Sequence, residues 1–270
     1  MSVIIKSELR IISILVYMAV VLTVILSACG GSSPDRSGNL TSADEVLAAA
    51  RDAFSSVTSY RSETHIVTKQ QTGEGVTSSG TVTLAWSAPD LIHVITEGSE
   101  EGEEAQRSEF IFANGRVMVR HSTSGNIWAD FPADPNADDG APSGILALME
   151  MYSDASRFLP DMDEAELVGK TVIDGLSVYH IKGRSNVRLL PPEDWPADVE
   201  DDTPTQQNDS NYDLYIGVYD LLPRKLVVVT DITYKASRLE GSGVERLSVV
   251  STVDLLDLNA PVIIELPEVR

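Results

Sequence analysis

Glu109-Phe110-Ile111-Phe112-Ala113-Asn114-Gly115-Arg116-Val117-Met118-Val119-Arg120 decides the fold. Asn-Gly sits between two alternating runs. A two-residue type I′ turn needs φ > 0 at both central positions, which asparagine and glycine reach most cheaply. The stretch therefore predicts an antiparallel hairpin with arms at 109–113 and 116–120. Its arms are apolar on both alternations, with Phe110 and Phe112 on one face and Ile111 on the other. Val117 and Val119 against Met118 repeat the pattern, as does Leu226-Val227-Val228-Val229-Thr230. Such a sheet is either covered by protein on both sides, or packs on helices with one face while another lines an apolar cavity.

The same period-two alternation spreads outward from this hairpin. Upstream, Thr64 to Lys69 and Thr81 to Trp86 read as strands, the second with Val82, Leu84 and Trp86 on one face. Pro89-Asp90 turns the chain into Leu91 to Glu97, where Ile92 and Val94 share a face. Downstream, Trp128 closes the meander on a short strand. Asp174-Gly175 then joins 166–172 to 176–182 as a second hairpin. Strands follow at Tyr212 to Val218, Arg224 to Tyr234, Val244 to Leu255 and Val262 to Leu266. Glu100, Glu101, Glu103 and Glu104, the proline- and aspartate-rich 132–142 and the acidic 191–211 read as loops. Ser42-x-x-Glu45 is a capping box. It opens an amphipathic helix with Val46, Leu47, Ala50, Phe54 and Val57 at three- and four-residue spacing. Ser143 caps a second helix in which Ile145, Leu146, Leu148, Met149 and Tyr152 are nearly all apolar. The expected class is mainly β with α (α+β): ten or eleven antiparallel strands in one curved sheet, with helices against its concave face.

The N-terminus gives the location. Lys6 and Arg10 precede an uncharged run from Ile11 to Leu26, followed by Leu26-Ser27-Ala28-Cys29. A positive head, an apolar run and small residues at the exit make a secretory signal. Leu26, Ser27 and Ala28 also form a bacterial lipobox, in which Cys29 takes a diacylglycerol thioether and becomes the new N-terminus. An uncleaved transmembrane anchor is the alternative, since the run approaches the ~20 residues that span a bilayer. Cys29 is the single cysteine of the chain, and Gly30-Gly31-Ser32-Ser33-Pro34 after it is a flexible tether. The expected division is a signal peptide over 1–28, a lipidated cysteine and linker over 29–41, and a curved-sheet β domain over 42–270. The domain then faces the outside or the periplasm, held to the cell membrane.

Charge narrows the partners. The chain carries a net charge of −21, and removal of residues 1–28 takes it to −22. Nucleic acid and anionic headgroups are repelled by such a surface, so the lipid anchor must hold the protein at the membrane. With one cysteine, no intrachain disulfide staples the domain. His65, His93, His121 and His180 each fall in a predicted strand, and none pairs at metal-site spacing. Asp134-Pro135-Asn136-Ala137-Asp138-Asp139-Gly140 places oxygens like a calcium loop. It lacks the glycine at the sharp turn, however, and has Ile145 in place of the closing glutamate. There is no nucleophile elbow, phosphate loop or zinc helix motif. A non-enzyme with no metal and no cofactor is expected.

The order of motifs resembles a known family. An alanine-rich helix ends near Ser56-Val57-Thr58-Ser59-Tyr60, and the Pro89-Asp90 turn and Asn114-Gly115 hairpin follow. Val172-Ile173-Asp174-Gly175-Leu176, Tyr215-Ile216-Gly217-Val218-Tyr219-Asp220-Leu221-Leu222-Pro223 and Asn259-Ala260-Pro261 come in turn. This is similar to the LppX/LprG-type lipoproteins and, more distantly, to the LolA/LolB carriers and the RseB sensor domain. The resemblance implies a half-open barrel closed by helices around an apolar cavity, in a protein that carries lipids or acylated molecules without covalent chemistry. Alternation names Val82, Leu84, Trp86, Ile92, Val94, Phe110 and Phe112 as candidate lining. A membrane lipid or lipidated molecule is the expected partner, an export transporter a further one, and the chain is expected to be a monomer. The competing reading is a protein-interaction lipoprotein of RseB-like type without lipid cargo.

Overall fold

The alternating runs assemble into one eleven-stranded antiparallel sheet. In this computed structural model the described residues are 40–70, 77–100, 103–124, 127–133, 158–189, 205–235 and 246–267. The strands are β1 (Ser59–Gln70), β2 (Thr77–Ser87), β3 (Leu91–Glu100), β4 (Gln106–Ala113), β5 (Arg116–His121) and β6 (Ala129–Pro132). They continue as β7 (Glu164–Ile173), β8 (Leu176–Leu189), β9 (Thr205–Gly217), β10 (Pro223–Lys235) and β11 (Arg246–Leu256). Their order across the sheet is β6-β5-β4-β3-β2-β1-β11-β10-β9-β8-β7. The sheet is open, with β6 and β7 at its two edges, and β1 against β11 joins the two ends of the domain.

Turn chemistry sets the registers. Asn114 and Gly115 adopt φ of 54° and 70°, so Phe112 faces Val117 and Phe110 faces Val119. Asp174 and Gly175 do the same at 49° and 79°, pairing Ile173 with Leu176. The helix α1 (Ala43–Phe54) is closed at its start as the sequence requires. Ser42 Oγ accepts from the Glu45 amide at 3.2 Å, and Glu45 Oε2 accepts from the amides of Thr41 and Ser42 at 2.8 and 3.2 Å. Its buried stripe of Val46, Leu47, Ala50, Ala53 and Phe54 rests on one face of the sheet, here called the inner face. Each large apolar side chain buried there contributes roughly 1.5–3 kcal/mol.

The outer face has a smaller apolar patch. Ile111, Ala113 and Met118 are covered by Leu91, Trp128 and Ile264. The second apolar alternation of the hairpin is therefore protein-covered. Part of the cover is the C-terminal segment, where the sequence predicts a strand at Val262 to Leu266. Residues 261–267 form no strand; the segment is pinned to the start of β1 and laid across the sheet. The Asn259 amide donates to the Ser59 carbonyl at 2.8 Å, and Ser59 Oγ donates to the Ala260 carbonyl at 2.7 Å.

Two other boundaries differ from expectation. β1 begins at Ser59 where Thr64 was expected, and β9 begins at Thr205 inside the stretch read as an acidic loop. Among the described residues there is a single short α-helix. The expected second helix from Ser143, the calcium-like loop at 134–140, the lipobox and Cys29 lie outside the described residues.

Candidate functional site

Cross-strand pairing sorts the inner face into rows. Nearest the Asn114-Gly115 turn, one row runs Tyr60, Trp86, Ile92, Phe112 and Val117 across β1 to β5. The next runs Ser62, Leu84, Val94, Phe110 and Val119. Six of the seven candidate lining residues thus lie in two adjacent rows, and Val82 belongs to the third, beside Thr64. Val82, Leu84, Ile92, Val94 and Phe110 are buried, and Trp86 and Phe112 half-buried, all against the cluster that includes α1. The Tyr60 ring lies 5.3 Å from Trp86, 5.3 Å from Phe158 and 6.0 Å from Phe54, tying helix, sheet and the segment before β7 into one aromatic node. Trp86 Nε1 is buried in this apolar setting without a hydrogen-bond partner.

Further from that turn the inner face turns polar. In the first wing, Thr96, Ser108 and His121 share the row of Val82. His121 Nδ1 and Ser108 Oγ are 2.6 Å apart, and burial pushes the imidazole pKa down. In the other wing, Tyr212 on β9, Val228 on β10 and Ser251 on β11 form one row. Ser185, Ser210 and Thr230 form the next, where the Ser210 and Thr230 hydroxyls share a hydrogen bond of 2.9 Å. Asn208, Ser210, Tyr212, Thr230 and Ser251 are all buried. Burial raises the Tyr212 phenol pKa, offset in part by the nearby Ser210 and Ser185 hydroxyls. Sequence reasoning missed this group, because alternation looks for apolar residues at every second position.

Charged clusters lie on the outer face. Glu109 on β4 is 6% exposed yet ionisable, and its partners explain how it is tolerated. His93 Nε2 lies 2.8 Å from one carboxylate oxygen, and Arg120 Nε donates to the other at 2.8 Å. Burial pushes this carboxyl up, but the hydrogen bonds from Arg120 and His93, and their charges, leave it below the usual value. The Arg120 guanidinium also caps the Trp128 ring at 4.8 Å. On β8 and β9, His180 Nε2 lies 2.6 Å from Asp213 Oδ1, and its ring stacks on Tyr215 at 4.6 Å. Each histidine is paired with a carboxylate or hydroxyl on a strand. No group of three metal-binding side chains occurs among the described residues.

No family model and no curated protein matches the sequence. Solved structures do match in the course of the chain. LprF from Mycobacterium bovis is 13% identical, with a TM-score of 0.45, over 87% of this chain and 99% of its own. The lipoprotein LppX from Mycobacterium tuberculosis is 15% identical, with a TM-score of 0.43, over 83% of this chain and 100% of its own. A LolA superfamily protein from Nitrosomonas europaea is 12% identical, with a TM-score of 0.27, over 83% and 96%. These are the types of protein that the sequence motifs resemble. Likeness at this level describes a fold and says nothing of what the chain binds.

Proposed function

We propose that this chain is a membrane-anchored, extracytoplasmic lipoprotein that holds acyl chains against the inner face of its sheet and passes them on without covalent chemistry. One observation carries the reading: among the described residues, the apolar inner face is far wider than the one helix packed on it. A single buried cluster runs from Val117 and Val119 on β5 to Tyr179 and Ile181 on β8. Those strands are eight spacings apart in the sheet, about 38 Å if it were flat. A 12-residue helix is about 18 Å long and 10 Å wide with its side chains. An apolar face of that width suits long alkyl chains, whose transfer from water contributes about 0.8 kcal/mol per CH₂.

Curvature supports the same reading. α1 meets β1 through Phe54 and Tyr60, and Arg51 Nη2 bonds Asp161 Oδ1, just before β7, at 2.7 Å. β1 and β7 are five spacings apart, about 24 Å in a flat sheet, so a sheet curled into a half-barrel around the helix accounts for both contacts. The anchor rests on Leu26-Ser27-Ala28-Cys29 in the sequence.

The test is to purify the full chain from its membrane, extract it with organic solvent and identify what leaves by mass spectrometry. Recovery of lipid in near-stoichiometric amount is expected, as is palmitate labelling that Cys29→Ser abolishes. A protein that yields no lipid would move the reading to the protein-interaction lipoprotein.

A further inference from the structure

We infer that the inner face carries a hydrogen-bonding subsite, built on Tyr212 and Ser251, that takes the uncharged ester carbonyls of an acyl lipid. The inference rests on the lipid-binding reading and names the chemistry that reading leaves open. Tyr212 is 1% exposed and Ser251 3% exposed, and both face inward from one row of the sheet. Neither Tyr212 Oη nor Ser251 Oγ makes a well-formed hydrogen bond, although the phenol lies near the Ser185 and Ser210 hydroxyls. Leaving a buried hydroxyl without a partner costs about 1–3 kcal/mol, so two of them in one row are a standing penalty that a ligand can remove.

What surrounds them selects the ligand. Ser210 and Thr230, in the next row, hydrogen-bond each other at 2.9 Å. Val228 separates Tyr212 from Ser251, and Ile66 follows Ser251 on β1. In the same row, Gly80 faces Gly98 on β2 and β3, so the face falls to bare backbone there. A Cβ on Gly80 would lie 3.0 Å from the Glu97 carbonyl oxygen, a tight contact that a larger residue could make only if its neighbour shifted. The row therefore runs from bare backbone at Gly80 and Gly98, through Ile66, to the buried hydroxyls of Ser251 and Tyr212. Around Tyr212 and Ser251, the inner-face positions Asn208 to Ile216, Leu226 to Ile232 and Leu247 to Leu255 hold no Lys, Arg or His, and the carboxylate that acts on Tyr212 is that of Asp163. A phosphate or free carboxylate placed here would be unpaired beside a negative charge. An ester carbonyl accepts from a hydroxyl and brings no charge. A two-strand separation of about 10 Å between Tyr212 and Ser251 also fits a molecule with more than one ester.

The full chain, released from detergent micelles in the mass spectrometer, is offered a diacylglycerol and, separately, a hydrocarbon of the same carbon number. Wild type is expected to retain both and to prefer the ester. Tyr212→Phe and Ser251→Ala are each expected to reduce the retained ester about fivefold, the worth of one hydrogen bond, and to leave the hydrocarbon unchanged. Their unliganded melting temperatures are expected to equal or exceed that of wild type, because each variant removes an unpartnered polar atom. Variants that keep the ester preference overturn the subsite while the hydrocarbon signal upholds lipid binding. Variants that melt earlier show that the hydroxyls were already satisfied, which also overturns it. A wild type that retains neither probe refutes the lipid-binding reading and the subsite with it.

Discussion

Two regions of the sheet bury polar atoms, and they do so in opposite ways. On the outer face, Glu109 is closed off from water with a partner for each carboxylate oxygen, in His93 and Arg120. On the inner face, Tyr212 and Ser251 are closed off with their hydroxyls unpaired. A fully partnered polar group inside a protein fixes geometry. A buried group left without a partner lowers stability, and is kept where something else will complete it. The first region thus reads as architecture and the second as a place for a ligand.

The largest test sets the apolar scale against which both regions are measured. Leu84→Ala in the first wing and Leu214→Ala in the second each remove a fully buried side chain from the same cluster. Each is expected to cost about 3 kcal/mol in chemical denaturation. A loss in one wing only would show that the wings do not share a core.

Glu109→Gln probes the partnered region, with an expected cost of about 2 kcal/mol, because Arg120 keeps partial access to solvent. The effect should depend on pH. The folded Glu109 carboxyl lies below its ordinary value of 4.5, so its stabilisation is full above that pH and is lost as the pH falls through the folded value. Wild type should therefore lead the variant at pH 7 and converge on it as the pH falls through the folded carboxyl's lowered value. A constant gap across the titration would mean that the charge of Glu109 contributes nothing.

Tyr212→Phe reverses the sign: unliganded stability is expected to rise by up to about 1 kcal/mol. Asp213→Asn, which breaks the solvent-facing pairs to His180 and Lys182, is expected to change stability by under about 1 kcal/mol. Equal losses at Asp213 and Glu109 would erase the distinction between an open and an enclosed pair.

What the sequence reveals follows the same line. Asn114-Gly115, Asp174-Gly175 and the Ser42–Glu45 box are local signals whose chemistry needs no tertiary context, and each appears where expected. Val82, Leu84, Ile92, Val94 and Phe110 alternate cleanly and lie on one buried face. The reading fails where buried positions are polar. Ser62 is buried near the start of β1, and Asn208 and Ser210 near the start of β9, so both strands appear shorter in sequence than they are. Val262, Ile264 and Leu266 mislead in the other direction, since a tail laid across a sheet alternates like a strand. The inner hydroxyls are thus hard to see for the reason that makes them interesting: local pattern and tertiary burial disagree there.

The most direct test of the account is a map of where lipid touches the chain. The full-length protein in phosphatidylcholine vesicles is photolabelled with a diacylglycerol that carries a diazirine in one acyl chain, and the labelled peptides are sequenced. Adducts are predicted on inner-face residues of both wings, near Val82 to Val94 and near Ser210 to Tyr212, with the second group weakened by Ser251→Ala. Adducts confined to the exposed outer face, around Lys182 and Tyr215, would contradict it.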